Sequence, residues 1–158
     1  MSDFTITRHI AAPVDTVFGV LDDFGNIANW SAGVKRSYLT ADGPVGEGTT
    51  RHCDFVPMGG VNERITNHIP GERMTVHLYE MFKMPASDAI ADFGLDADGD
   101  GTVLTLDVSY TINRLGSAMK RTTAKQMRKG MEAMADDLVR ESERVATQAN
   151  EEAGHGAS

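Results

Sequence analysis

The stretch LDADGDGTVLTLD, residues 95–107, admits two readings that lead to different folds. Asp96, Asp98, Asp100, Gly101 and Asp107 occupy ligand and turn positions of a calcium-binding EF-hand loop, where carboxylate oxygens and a turn glycine belong. The residues that follow decide against it. Leu104, Leu106, Val108, Tyr110 and Ile112 fall on one parity and Thr105, Asp107, Ser109 and Thr111 on the other. That is strand alternation, whereas an EF-hand loop must exit into a helix. Asp and Gly are equally what a tight hairpin requires, because they tolerate left-handed backbone and bond their own main chain. The stretch therefore predicts a β-hairpin.

Around it, from Val34 to Ile112, the chain reads as six strands punctuated by ADGPVGEG, VPMGG, IPGE, MPAS and DADGDG. FTITRHI, residues 4–10, alternates as a further strand. The period then changes: Val14, Val17, Phe18 and Leu21 follow helical spacing, with Pro13 suited to a first turn and Asp15 to its positive end. Gly25 and Asn26 interrupt before a second short helix carrying Ile27 and Trp30. Beyond Leu115 a proline-free helical pattern runs to near Ala149. The fold class is α+β: a seven-stranded curved antiparallel sheet around a long C-terminal helix, with two short helices after the first strand. One domain spans residues 1–149, and the small polar residues 150–158 are read as a flexible tail.

Composition narrows the function. A chain of 158 residues buries one core without staples, and 41% hydrophobic with 24% charged residues is ordinary for a soluble protein. No apolar run reaches the ~20 residues of a membrane span, so no stable membrane insertion is expected. The first residues lack a basic-then-apolar leader, making the cytoplasm the expectation. A formal charge of −8 opposes nucleic acid, whose binding is led by phosphate neutralisation. Cys53 is the single cysteine, read as a small buried residue, and the five histidines show no paired spacing. No metal and no cofactor are expected. Oligomeric state is not legible.

Strand parity assigns faces. One face collects Arg51, Cys53, Phe55, Glu63, Ile65, Ile69, Met74, Val76 and Leu78; the other collects His52, Asp54, Arg64, Thr66, His68, Thr75 and His77. The first is apolar save for Arg51 and Glu63, which the turn near Pro57 and Met58 sets almost opposite each other. A lone charge there would cost several kcal/mol, roughly, so the two should pair or meet water or ligand. They are either an architectural ion pair or a functional one, the guanidinium holding an oxyanion and the carboxylate moving protons.

The order of elements, with DDFGNIANW closing the helical pair, W-x-x-G-V at Trp30–Val34, G-x-G at Gly46–Gly48 and ERIT…PGERM across a hairpin, resembles the SRPBCC superfamily. These helix-grip proteins include START lipid-transfer domains, birch-pollen-allergen-like proteins and polyketide cyclase/dehydrases. The resemblance covers about Phe4 to Ala149 and implies a hydrophobic cavity between sheet and helix, opening near the second helix. TTRHCDF and VNERITNHIPG further resemble lachrymatory-factor synthase and related plant members, which implies that Arg51 and Glu63 face each other inside that cavity.

Met119, Met127, Met131, Met134 and Leu138 form a stripe along the long helix, serving either as core filling or as an adaptable pocket wall. Ala89, Ala91, Phe93 and Leu95 share one parity, and the alanines leave space. The expected ligand-binding set is Trp30, Arg51, Phe55, Glu63, Val76 and Leu78 from the first half of the chain. Ala91, Phe93, Leu106, Tyr110, Met127, Met131 and Met134 complete it. Trp30 either gates the entrance or packs, and Gly130 allows a bend or a close approach. The helix is basic early (Lys120, Arg121, Lys125, Arg128, Lys129) and acidic late, against its macrodipole; the basic cluster is either a solvated face or a contact for anionic headgroups. The partner expected is a small hydrophobic or aromatic molecule of lipid, polyketide or isoprenoid type. The rival is a cyclase, aromatase or dehydratase with Arg51 and Glu63 catalytic.

Overall fold

A computed structural model describes residues 3–156. Strand β1, Phe4–Ile10, leads into helix α1, Val14–Asp22, and a 3₁₀ helix, Phe24–Asn29, broken at Asn26. Six strands follow: β2 Val34–Leu39, β3 Thr50–Phe55, β4 Gly60–Ile69, β5 Arg73–Phe82, β6 Ala86–Asp98 and β7 Gly101–Ile112. They form one antiparallel sheet in the order β1-β7-β6-β5-β4-β3-β2, so the first strand closes against the last. Residues 95–107 are the β6–β7 hairpin, with Asp98 opposite Gly101 and Gly99 at φ 59°, the left-handed value its turn requires. Asp96 lies opposite Val103 and Asp107 opposite Asp92, so the register spreads the aspartates along the ladder.

The single long helix expected beyond Leu115 is two. Helix α2, Arg114–Ala118, is capped by the Asn113 side chain, which accepts from the Gly116 amide. Met119 breaks the helical path at φ −131°, and α3 then runs from Lys120 to Gly156. Helix therefore continues through most of the segment read as a flexible tail, because Glu151, Glu152 and Ala153 are good helix formers and no proline stops them. Ala157 and Ser158 lie outside the described residues. The break also removes Met119 from the stripe, leaving it 60% exposed.

α3 packs over one end of the sheet's concave face. Its second half approaches closely through Ala135, Leu138, Ser142 and Ala146, all buried. The acidic residues that oppose its macrodipole are used as anchors. Arg8 donates to Asp136 at 2.7 Å, the Ala32 amide to Asp137 at 2.9 Å, and the Ala11 amide to Glu143 at 2.8 Å. Thus α3 is fixed to β1, to the turn before α1 and to the exit of the 3₁₀ helix.

Two bulges re-aim side chains that strict parity misplaces. On β4, Ile65 pairs with Val76 but Asn67 with Thr75, leaving Thr66 as an extra residue. Beyond it the faces exchange: His68 turns inward, its Nε2 at 2.7 Å from Asp22 of α1 and its ring edge-on to Phe18, while Ile69 turns out to 38% exposure. On β5, Glu80 at φ 49° does the same, placing Met81 inside and Phe82 outside.

Two measurements check these arrangements. A Cβ on Gly116 would lie 2.1 Å from the Pro85 carbonyl oxygen, so Gly116→Ala should push α2 off the β5–β6 turn and cost about 1–3 kcal/mol in urea unfolding. On the outer face, Asn62 and then Asp54 bond His52 and hold its pKa above the ordinary value. A raised folded pKa stabilises below the unfolded value, near 6.5, and the contribution fades as pH rises through the folded one. The stability gap between the protein and His52→Gln should accordingly be largest in mild acid and shrink above neutrality.

Candidate functional site

The first half of α3 does not close down on the sheet. Between them lies a cavity of about 300 Å³, bounded by α1, the 3₁₀ helix, strands β3 to β6 and the α3 residues Gln126 to Met134. Its wall is apolar: Val76 and Leu78 from β5, Ala91 and Phe93 from β6, Phe55 from β3, and Met127, Met131 and Met134 from α3. Methionine accommodates irregular shapes, and the small Ala91 leaves the middle of the sheet unfilled. Gly130 borders the same space with nothing within 4 Å of where its Cβ would be, so it answers to no close approach.

Arg51 and Glu63 are direct ladder partners on β3 and β4, both buried, and both line the cavity. Arg51 Nε donates to Glu63 Oε2, and Arg51 Nη1 donates to the Phe24 carbonyl at 2.8 Å. The guanidinium also lies 3.8 Å over the Phe24 ring. Cys53 Sγ donates to Glu63 Oε2 at 3.3 Å. Burial, and then the adjacent Glu63 charge, push the Cys53 thiol well above its usual range, which makes it a donor and not a nucleophile. These bonds use one edge of each charged group. Among the described residues, Arg51 Nη2 and Glu63 Oε1 have no partner, and both belong to side chains in the cavity wall.

Trp30, just past the 3₁₀ helix, is half-buried in the same wall, and its Nε1 is a buried donor without a partner among the described residues. Two expected residues lie elsewhere. Leu106 is fully buried between Ile6 and Phe93 on neighbouring strands, and Tyr110 packs against Phe4 with ring centres 6.3 Å apart. β7 sits behind the closed part of the core, so its inward parity does not reach the cavity. Phe24, Met81 and Met84 were not expected. Phe24 carried no periodic signal, and the two methionines depend on the β5 bulge and the turn after it.

A buried ion pair is better judged by breaking it. Glu63→Ala leaves Arg51 buried with one charge partner removed and should cost about 3–5 kcal/mol in urea unfolding, whereas the double change Arg51→Met, Glu63→Leu should be far milder. Equal losses would show that the ionic partnership is not what the site depends on.

Comparison with known proteins agrees with this fold. The family model described as polyketide cyclase / dehydrase and lipid transport matches residues 1–143. No curated protein sequence matches. Among solved structures, the Zhui aromatase/cyclase of Streptomyces sp. R1128 superposes with a TM-score of 0.72 at 16% identity, over 89% of this chain and 93% of its own. A START superfamily protein from Mycobacterium smegmatis gives 0.71 at 16%, over 92% and 97%. The protein TTHA0849 from Thermus thermophilus gives 0.73 at 18%, over 90% and 97%. At these identities the structures share the fold.

Proposed function

The chain belongs to the polyketide cyclase / dehydrase and lipid transport family, within the SRPBCC superfamily, and on that premise we propose that it binds a small hydrophobic or aromatic molecule in the sheet–helix cavity. The observation that carries this reading is an apolar chamber whose wall holds an ion pair with one edge of each partner unbonded among the described residues, Arg51 Nη2 and Glu63 Oε1. Polar groups in an apolar wall are normally satisfied, so these two free edges favour a ligand that supplies an acceptor to Arg51 and a donor to Glu63. A volume of about 300 Å³ is at the lower end for ligand pockets and suits a one- or two-ring compound or a single isoprenoid or acyl chain. A two-chain lipid would not be enclosed.

The second reading is catalysis of the cyclase, aromatase or dehydratase kind. It is favoured by one feature: Glu63 Oε1 stands free beside a guanidinium that is already fixed by Phe24. Arg51 would then hold a carbonyl or enolate oxygen while Glu63 takes or returns a proton at the neighbouring carbon, the cation stabilising the charge that develops. Neither step requires movement of the pair.

Native mass spectrometry of freshly purified protein should reveal a small apolar species bound one to one. Titrating that species should change the fluorescence of Trp30, the only tryptophan, and Ala91→Phe, which projects a ring into the chamber, should weaken binding at least about tenfold. Unaltered binding by Ala91→Phe would remove the cavity from consideration. The two readings separate at Arg51→Gln and Glu63→Gln: a binder loses modest affinity, whereas an enzyme loses turnover by about 10² or more while ligand still binds.

A further inference from the structure

We propose that the open end of the cavity docks on an anionic phospholipid surface. Three separate segments meet there. The β3–β4 turn presents Val56 and Met58, the end of β5 presents Phe82, and α2 with the residue after it presents Leu115 and Met119. These are 56%, 62%, 65%, 69% and 60% exposed in that order. Their proximity is fixed by the ladder and the turns. Gly60, just after the first turn, pairs with Phe82; the Phe82 and Lys83 carbonyls flank Gly59; and Asn113 at the head of α2 donates to the Met84 carbonyl at 2.8 Å. Val56 and Met58 are at once solvent-exposed and part of the cavity wall, which locates them at its mouth.

Large apolar side chains at the tips of turns, grouped around one opening, mark an interaction site. The charges around them indicate the partner. From Val108 to Met131 the sequence has no carboxylate and six cations, Arg114, Lys120, Arg121, Lys125, Arg128 and Lys129, in a chain whose formal charge is −8. All six are exposed, and among the described residues Arg128 alone of them forms an ion pair, with Glu132. Lys83 adds a seventh cation beside the Phe82 ring. Two carboxylates near this face are held by neutral donors: Asp3 accepts from the Tyr110 amide and Glu80 from Asn62.

Apolar tips flanked by largely unpaired cations match an interface of acyl chains beneath anionic headgroups. A second copy docking through the same face would set cations against cations. No described helix is long and apolar enough to cross a membrane, so the contact is peripheral. Docked in this way, the mouth opens into the acyl layer, and an apolar molecule could enter or leave the chamber without crossing water.

The test is cosedimentation of the ligand-free protein with vesicles. Phosphatidylcholine with phosphatidylserine at about three to one should bind the protein, and phosphatidylcholine alone should bind at least about tenfold more weakly. Binding should be lost near 1 M salt, where screening extends only about 3 Å. The pair Met58→Asp, Phe82→Asp and the triple Lys120→Glu, Arg121→Glu, Lys125→Glu should each reduce binding on the order of 100-fold without lowering the thermal unfolding midpoint, because all five positions are exposed and acidic residues suit the start of α3. Ala91→Phe should bind vesicles like the parent, which separates this surface from the cavity's occupant. Equal binding to neutral vesicles, indifference to both variants, a dimer that the aspartate pair dissociates, or binding to an acidic protein with none to vesicles would each overturn the proposal.

Discussion

The architecture depends on how α3 is held. Its acidic second half accepts from Arg8 and from the main chain at Ala11 and Ala32, and small residues there allow close packing. An isolated helix with this charge order would be disfavoured by its own dipole, and here the unfavourable order is what supplies acceptors for two amides and a guanidinium. Holding the helix at that end leaves the methionine-bearing half spanning the sheet at a distance. The chamber is the space that this one-sided attachment creates.

Within the chamber, the charged pair is constrained more than a pair of ions requires. β3 and β4 set Arg51 and Glu63 in register, and the 3₁₀ helix adds a carbonyl and an aromatic face to the guanidinium. The kink at Asn26 that ends the first part of that helix thus contributes to the orientation of a side chain on a strand. Such support fixes which nitrogen and which oxygen remain free.

Most of the fold was legible because its signals are periodic. The Asp-rich hairpin was read from the alternation that follows it, and the opposition of Arg51 and Glu63 from parity and a turn centre. What parity could not supply is the position of a bulge. Thr66 adds no compositional signal, yet it sends His68 inward to Asp22 and Ile69 outward. Glu80 acts likewise on Met81 and Phe82. Tyr110 and Leu106 face inward as read, but curvature places the inner side of β7 against β1 and the closed core. The stop at Met119 was hidden by a residue that favours helices.

Gly130 lies in α3 just before the closely packed half begins, with open space where a side chain would be. Mechanically, α3 is a cantilever with its compliant point over the chamber. Fluctuation of the free arm should be larger than that of the anchored arm, so amide protons between Lys120 and Met131 exchange with solvent faster than those around Leu138. Whatever occupies the chamber would brace the free arm against the sheet, and its residence time would then be set by the stiffness of one helix.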